Sequence, residues 1–248
     1  MNFDVVIITA TSFEQDLLRR EMVNTVAFTE ARKCCISGVL GKFNVLLVES
    51  GIGAVNCSHS LTHLLPKYEV SQVWQIGVGG GYPQSGVSIG DIAIAVTEHY
   101  GDIGVRVDDG WVGLEDSINI PILFAEQHVG DHDIFNVFDL DLELAKSAAE
   151  IIGQKWHTVL GPFVTVQECS GTDALGQERG SLFSACCENM EGAAAAHICS
   201  LYNVKLFELR CISNMVKVRN QSEWNLSLAC RRAQEAAIIL SREGFCIS

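Results

Sequence analysis

Short, continuous apolar runs alternate along the chain with longer segments of helical spacing. Residues 3–9, FDVVIIT, form a β-branched run without polar alternation, the pattern of a strand covered on both faces. The polar segment TSFEQDLLRREM that follows predicts a helix capped by Thr11 or Ser12. The same order recurs in an apolar run at 43–49, a turn at Gly51-Ile52-Gly53 and helical spacing over 54–65 that stops at Pro66. Residues 73–77 and 89–96 read as two further strands, the first running into Gly79-Gly80-Gly81 and the second introduced by Gly90-Asp91. Residues 100–139 carry too little periodicity to assign beyond loops and a short strand. Beyond them the spacing predicts a helix over 140–152, a strand over 158–166, an alanine-rich helix over 191–201, a strand over 204–209 and a long helix over 223–242. Alternating strands and helices, with no repeat, linker or low-complexity tract, predict an α/β fold: a single three-layer domain over residues 1–248 whose central, mostly parallel (mixed) sheet is flanked by helices.

Composition narrows the partners. Of 248 residues, 48% are hydrophobic and 19% charged, enough apolar matter for a sizeable core and too little charge for disorder. Acidic residues outnumber basic ones 30 to 17, and the net charge of −13 repels nucleic-acid backbones and anionic lipid surfaces. The opening MNFDVVIITATSFEQ has no basic leader, and no window supplies the roughly 18 apolar residues of a membrane span, so a cytoplasmic protein is expected. The 10 cysteines are irregularly spaced, with Cys34 beside Cys35 and Cys186 beside Cys187, and read as reduced core thiols.

Several chemistries can be weighed against plainer readings. Gly51-Ile-Gly53-Ala-Val-Asn56 has part of a dinucleotide fingerprint, but its third glycine is Asn56 and it does not sit on the first strand, so a tight turn explains it as well. The glycines at 77 and 79–81 crowd the carboxyl end of a strand, where open α/β sheets bind ligands. The pairs His59 and His63, and His128 and His132, lack the companions of a zinc site; no metal and no cofactor is expected. Neither a Gly-x-Ser-x-Gly elbow nor a P-loop occurs. What remains is Glu14 just past the first strand, Glu191 at the start of the alanine-rich helix, and Arg210, Ser213 and Asn214 following the strand at 204–209. Parallel strands would bring these groups to one edge of the sheet; alternatively, the glutamates cap helices and Arg210 pairs with one of them.

At these residues the sequence resembles the nucleoside phosphorylase and nucleosidase superfamily over nearly its whole length. The resemblance is carried by four motifs: residues 7–14, Ile-Ile-Thr-Ala-Thr-Ser-Phe-Glu; Gly51-Ile-Gly53 with Asn56; the glycine loop 77–81 followed by Ile89-Gly90-Asp91-Ile92 and by Tyr100 and Asp102; and Asn189-Met190-Glu191 followed by Arg210-Cys-Ile-Ser213-Asn214. Within the superfamily, Glu188-Asn-Met-Glu191-Gly-Ala-Ala-Ala-Ala-His197 and the run from Arg210 to Trp224 are most similar to the futalosine hydrolases of the menaquinone pathway.

That resemblance implies an enzyme that cleaves a purine N-glycosidic bond and assembles as a dimer or larger homo-oligomer. It implies that Glu191 takes the ribose hydroxyls and stabilises the cationic sugar, that Met190 packs on the ribose, and that Glu14 activates water with Arg210 nearby. Asn214, held by Ser213, would serve the purine N7; Trp224 would wall the 5′ side; Gly79 and Gly80 would lie against the nucleoside, with Val166 offered from the base-contacting segment. Gln75 and Val78 stand where phosphorylases carry phosphate ligands, so water is the expected nucleophile. Asn214 stands where adenine-specific relatives have Asp, and an amide suits hypoxanthine, the base of futalosine. Trp224 with Lys217 or Arg219 is the expected site for the benzoate end of futalosine. The alternatives are a nucleosidase for aminodeoxyfutalosine, methylthioadenosine or adenosylhomocysteine, a nucleoside-binding protein without turnover and, on Gly51 to Asn56, a dinucleotide-dependent oxidoreductase.

Overall fold

The computed structural model describes residues 2–217 and 220–245. In chain order, β1 (Asn2–Thr9) leads through a 3-10 turn (Ser12–Glu14) into α1 (Asp16–Glu21), and β2 (Val23–Glu30) and β3 (Lys33–Leu40) form a hairpin before β4 (Phe43–Glu49). Then come α2 (Ala54–Leu64), β5 (Glu69–Gly81), β6 (Ile92–Tyr100), the small hairpin of β7 (Gly104–Val107) and β8 (Gly110–Gly113), α3 (Leu114–Ser117) and β9 (Val137–Asp139). The remainder carries α4 (Leu142–Gly153), β10 (Thr158–Thr165), α5 (Asp173–Leu182), β11 (Cys187–Asn189), α6 (Gly192–Tyr202), β12 (Lys205–Met215) and α7 (Leu226–Glu243).

The absence of polar alternation in β1 has a simple cause. Val5 and Ile7 pack into one core with Leu144 and Ala148 of α4 and Ala236 and Ala237 of α7, whereas Val6 and Ile8 pack into a second with Leu61 of α2 and Ala194 of α6. Side chains alternate across a strand, so a strand between two helical layers is apolar at every position.

The main sheet runs β2-β3-β4-β1-β5-β12-β6-β10-β11. Its centre, β4-β1-β5-β12, is parallel. The hairpin on one side is antiparallel, and β6, with β10 and β11 parallel to it, runs against β12 on the other. The fold is therefore α/β with a mixed sheet, as expected, but its parallel character is confined to two blocks. β11 also pairs antiparallel with β5, Glu188 opposite Gly80, so β5, β12, β6, β10 and β11 close into a ring.

Two strands run further than their apolar cores predict. β5 continues through the glycines to Gly81, which makes them strand residues and not a loop. β12 continues to Met215, and its register against β5 slips between Ile212, opposite Gly79, and Asn214, opposite Gly80. The extra residue, Ser213, is a β-bulge, a device that re-aims neighbouring side chains.

Candidate active site

A cavity of about 840 Å³ opens beside β5 and β12, between the first turn, α1 and α7 on one side and β11 with the start of α6 on the other. Glu14 reaches it from the 3-10 turn. Its Oε2 accepts from the Thr11 backbone N–H and hydroxyl, each at 2.9 Å, and its Oε1 accepts from the Val78 N–H at 3.0 Å. This close approach requires a glycine next to Val78, because a Cβ on Gly77 would lie 2.5 Å from Glu14 Oε1 and 3.0 Å from Arg210 Nη1.

Glu191 occupies the position just ahead of α6. Its Oε1 accepts from the Gly53 N–H at 2.9 Å and its Oε2 from Arg210 Nη1 at 3.2 Å. Gly53 has φ +91°, so the turn that superficially looked like a dinucleotide fingerprint serves to aim a backbone donor at this carboxylate. Arg210 stands within β12, not after it, and lies between the two carboxylates: beside its bond to Glu191, Nη1 reaches the carbonyl of Val78, whose N–H serves Glu14, at 3.3 Å, while Nε donates to Glu208 at 2.9 Å. The three groups converge as predicted but not through parallel strands alone, since β11, which leads to Glu191, is antiparallel to β5.

Burial dominates the electrostatics. Glu14 is 3% exposed, and desolvation raises its pKa above the usual carboxylate value against the opposing pull of Arg210 and of its Val78 and Thr11 donors. Burial would lower Arg210, but Glu208, Glu191 and Glu14 around it hold the guanidinium charged and shift it upward. One cation among three carboxylates leaves the inner end of the cavity electronegative.

At the next position along β12 the bulge places Ser213, Asn214 and Met215, three consecutive residues, on the cavity wall. Ser213 Oγ lies 2.8 Å from Asn214 Oδ1 and 3.2 Å from the Gly79 carbonyl. Asn214 Nδ2 makes only a long 3.4 Å bond to the Met215 carbonyl. Opposite, Glu188 takes Tyr82 Oη at 2.9 Å, Ser170 Oγ at 2.6 Å and the Ser170 N–H at 2.9 Å, clamping the chain around Ser170 over the cavity.

Nine of the ten predicted site residues line this cavity: Glu14, Glu191, Arg210, Asn214, Gly79, Gly80, Met190, Ser213 and Trp224. Val166 does not. It is fully buried in a core cluster with Tyr82, Val164, Ala185 and Val216, the surroundings its apolar side chain demands. Gln75 is likewise buried away from the cavity, although Val78 lines it. Lys217 lines the cavity but is paired with Glu223 at 2.6 Å, and Arg219 lies outside the described residues. Sequence reasoning missed Glu188 as a structural clamp, Glu208 as the partner of Arg210, and Arg20 and Arg231 at the outer end. For Glu208 a signal existed, because residues two apart on a strand share a face. Among the described residues no three His, Cys, Asp or Glu side chains gather as metal ligands, and no helix is long and apolar enough to cross a membrane.

The profile of the phosphorylase superfamily matches residues 4–242. The chain belongs to that superfamily. Among other superfamily members, futalosine hydrolase of Thermus thermophilus is 31% identical over 195 residues, 79% of this chain and 77% of the relative. The 5′-methylthioadenosine/S-adenosylhomocysteine nucleosidase of Anoxybacillus flavithermus is 26% identical over 212 residues, 86% and 85% of the two chains. The solved futalosine hydrolase of Helicobacter pylori shares the fold with a TM-score of 0.80 at 19% identity, covering 96% of this chain and 97% of its own. These relatives are hydrolases and nucleosidases by name, and this superfamily member stands with them as an N-glycosidic hydrolase.

Proposed function

We propose that the protein hydrolyses the N-glycosidic bond of futalosine, releasing hypoxanthine and leaving dehypoxanthine futalosine, a step of menaquinone biosynthesis in the cytoplasm. The observation that carries the reading is the convergence of Glu14, Arg210 and Glu191 on the wall of one cavity, Arg210 bonded directly to Glu191 and linked to Glu14 through the Val78 backbone, with Asn214 further along the same strand as Arg210. Glu191 binds the ribose hydroxyls and stabilises positive charge on the sugar as the bond to the base lengthens, while Met190 covers the ribose. Glu14, a stronger base for its burial, takes a proton from the attacking water, which Arg210 helps to hold. An inner site this rich in carboxylate disfavours a phosphate nucleophile.

At the base, Ser213 donating to Asn214 Oδ1 leaves the amide nitrogen, bonded only at 3.4 Å to the Met215 carbonyl, with a hydrogen to donate. A 6-oxo purine offers acceptors at N7 and O6, so the leaving base is hypoxanthine, stabilised as negative charge develops on it. At the other end, Trp224 and Phe13 line the cavity with Arg20 and Arg231, which make no ion pair among the described residues. With Lys217 already paired, these two arginines are the partners for the benzoate of futalosine. Phe13 is 73% exposed and Ile52 57% at the cavity wall, apolar surface that a homo-oligomer would cover.

The second reading, a nucleosidase for an adenine-bearing nucleoside, is favoured by the methylthioadenosine/adenosylhomocysteine nucleosidase relatives. A binding protein without turnover would not need Glu14 beside Arg210. The experiment is a panel of futalosine, aminodeoxyfutalosine, methylthioadenosine and inosine, each with and without phosphate, with base and sugar products identified. Free hypoxanthine from futalosine, at a rate indifferent to phosphate, supports the proposal; faster adenine release or a sugar phosphate overturns it.

A further inference from the structure

Behind the cavity two more carboxyl groups meet in the core. Glu98 on β6 and Glu208 on β12 are both 0% exposed. Glu208 Oε2 has no donor among the described residues. Its close neighbour is another oxygen: a Cβ on Gly192 would fall 1.9 Å from Glu98 Oε1 and 2.4 Å from Glu208 Oε2. Two ionised carboxylates do not persist side by side in a dry interior, whereas one proton between them turns repulsion into a charge-assisted hydrogen bond.

The surroundings decide which group keeps the proton. Arg210 Nε donates to Glu208 Oε1 at 2.9 Å, which favours an ionised Glu208. Glu98 has only neutral protein donors, Asn189 Nδ2 at 2.6 Å and Thr165 Oγ1 at 2.8 Å. Burial, reinforced by Glu208, pushes Glu98 well above the ordinary carboxylate value; burial also raises Glu208, but Arg210 opposes it. The other titratable groups facing the pair are Glu191 ahead of α6, Glu14 on the first turn, Cys57 on α2, Cys186 and Cys187 beside β10, and Tyr100 on β6. Burial keeps the thiols and the phenol neutral.

We propose that Glu98 and Glu208 hold one proton between them and act as a positioning pair for Arg210. Neutral Glu98 donates to Glu208, Glu208 takes the Arg210 Nε, and the guanidinium is fixed with Nη1 on Glu191. Part of its charge is thereby spent on Glu208. Glu191 keeps more of its own negative charge for the cationic sugar than it would beside an arginine whose whole charge faced it. This inference rests on the roles assigned to Glu14 and Glu191 in the reaction.

The test uses the full-length protein with Glu98→Ala, Glu98→Gln and Glu208→Gln, each checked for folding by circular dichroism, beside Glu14→Gln and Glu191→Gln as controls of the reading itself. Infrared spectra of wild type at neutral pH should contain a protonated-carboxyl C=O component that Glu98→Gln removes. Glu98→Ala should lower kcat about tenfold, and Glu98→Gln, whose amide still donates to Glu208, should restore it to within about threefold. Glu208→Gln should lower kcat about tenfold with little change in KM, and move the acid limb of kcat/KM to lower pH because the freed arginine charge holds Glu14 ionised. An unchanged C=O band in Glu98→Gln, or a wild-type acid limb in Glu208→Gln, overturns the proposal. Full activity in the Glu14 and Glu191 controls would instead overturn the catalytic reading, leaving the infrared result to stand on its own.

Discussion

The Ser213 hydroxyl donates to the Asn214 side-chain carbonyl at 2.8 Å, and this bond leaves the amide nitrogen as the end that would meet the base in the proposed reading. The bond exists because the bulge in β12 turns both residues to the same side of the strand.

Asn214→Asp removes the amide donor while keeping the acceptor for Ser213. Activity on futalosine should fall and relative activity on the matched adenine nucleoside should rise. A lost buried hydrogen bond of roughly 1–3 kcal/mol moves the ratio of the two kcat/KM values by about ten- to a hundredfold. Measuring both substrates on both proteins checks it, and an unmoved ratio would mean that Asn214 does not read the base.

Glu14→Gln and Glu191→Gln should each lower kcat by about a hundredfold or more, as loss of a positioned base or of transition-state charge requires. Single-turnover rates of base release are the measurement, and near-normal rates in either variant would remove that residue from the mechanism.

Glu14 also has a predicted cost in stability. Its pKa is raised in the folded state, so the unfolded chain ionises first; its contribution is fully present below the unfolded value and is lost as pH rises through the folded one. Glu14→Gln should therefore melt at a higher temperature than wild type at neutral pH, with the gain vanishing below the ordinary carboxylate range. Thermal melts of both proteins across that range test the sign. In kinetics the same shift places the acid limb of kcat/KM above the usual carboxylate value.

Arg20→Ala with Arg231→Ala should raise KM for futalosine about tenfold or more and leave inosine unaffected, since only the longer substrate carries a carboxylate to the outer end. Lys217→Ala should change little, because Lys217 already has Glu223 as its partner. Equal losses on futalosine and inosine in the double arginine variant would indicate damage to the fold instead.

Gly77→Ala should abolish most activity without any change of charge, by pushing a methyl group to within 2.5 Å of Glu14 Oε1. Steady-state kinetics beside a thermal melt separates displacement of Glu14 from unfolding.

Much of this arrangement was legible in the chain. β1 and β4 announce themselves because helices cover both their faces, and Glu14 lies just past β1 and Glu191 just past β11, whereas Arg210 lies inside β12, beyond the strand end that the apolar run predicts. The β2–β3 hairpin was not legible: most of β2 is exposed and has no buried face to impose an apolar pattern. Nor was α5, whose sequence DALGQERGSL includes two glycines and little apolar periodicity. The bulge at Ser213 depends on register against β5, which only pairing reveals. Val166 read as a site residue only through the resemblance of its segment to the family's base-contacting one, and that resemblance does not fix which way its side chain turns. Lys217 read as available because no spacing in the sequence pairs it with Glu223, its partner in the structure.

The pairing of β11 back onto β5 bears on how such an enzyme can change its taste. Glu191 follows β11, Asn214 lies on β12, and both strands are bonded to β5, so the span between the proposed sugar and base sites is set by the spacing of neighbouring strands. Arg20 and Arg231 hang instead on α1 and α7, which belong to no such ring. In the proposed reading, therefore, the groups assigned to sugar and base share one closed ring of strands, while those assigned to the far end of the substrate sit on helices outside it, so that changes at α1 and α7 can alter the outer site without moving the inner one.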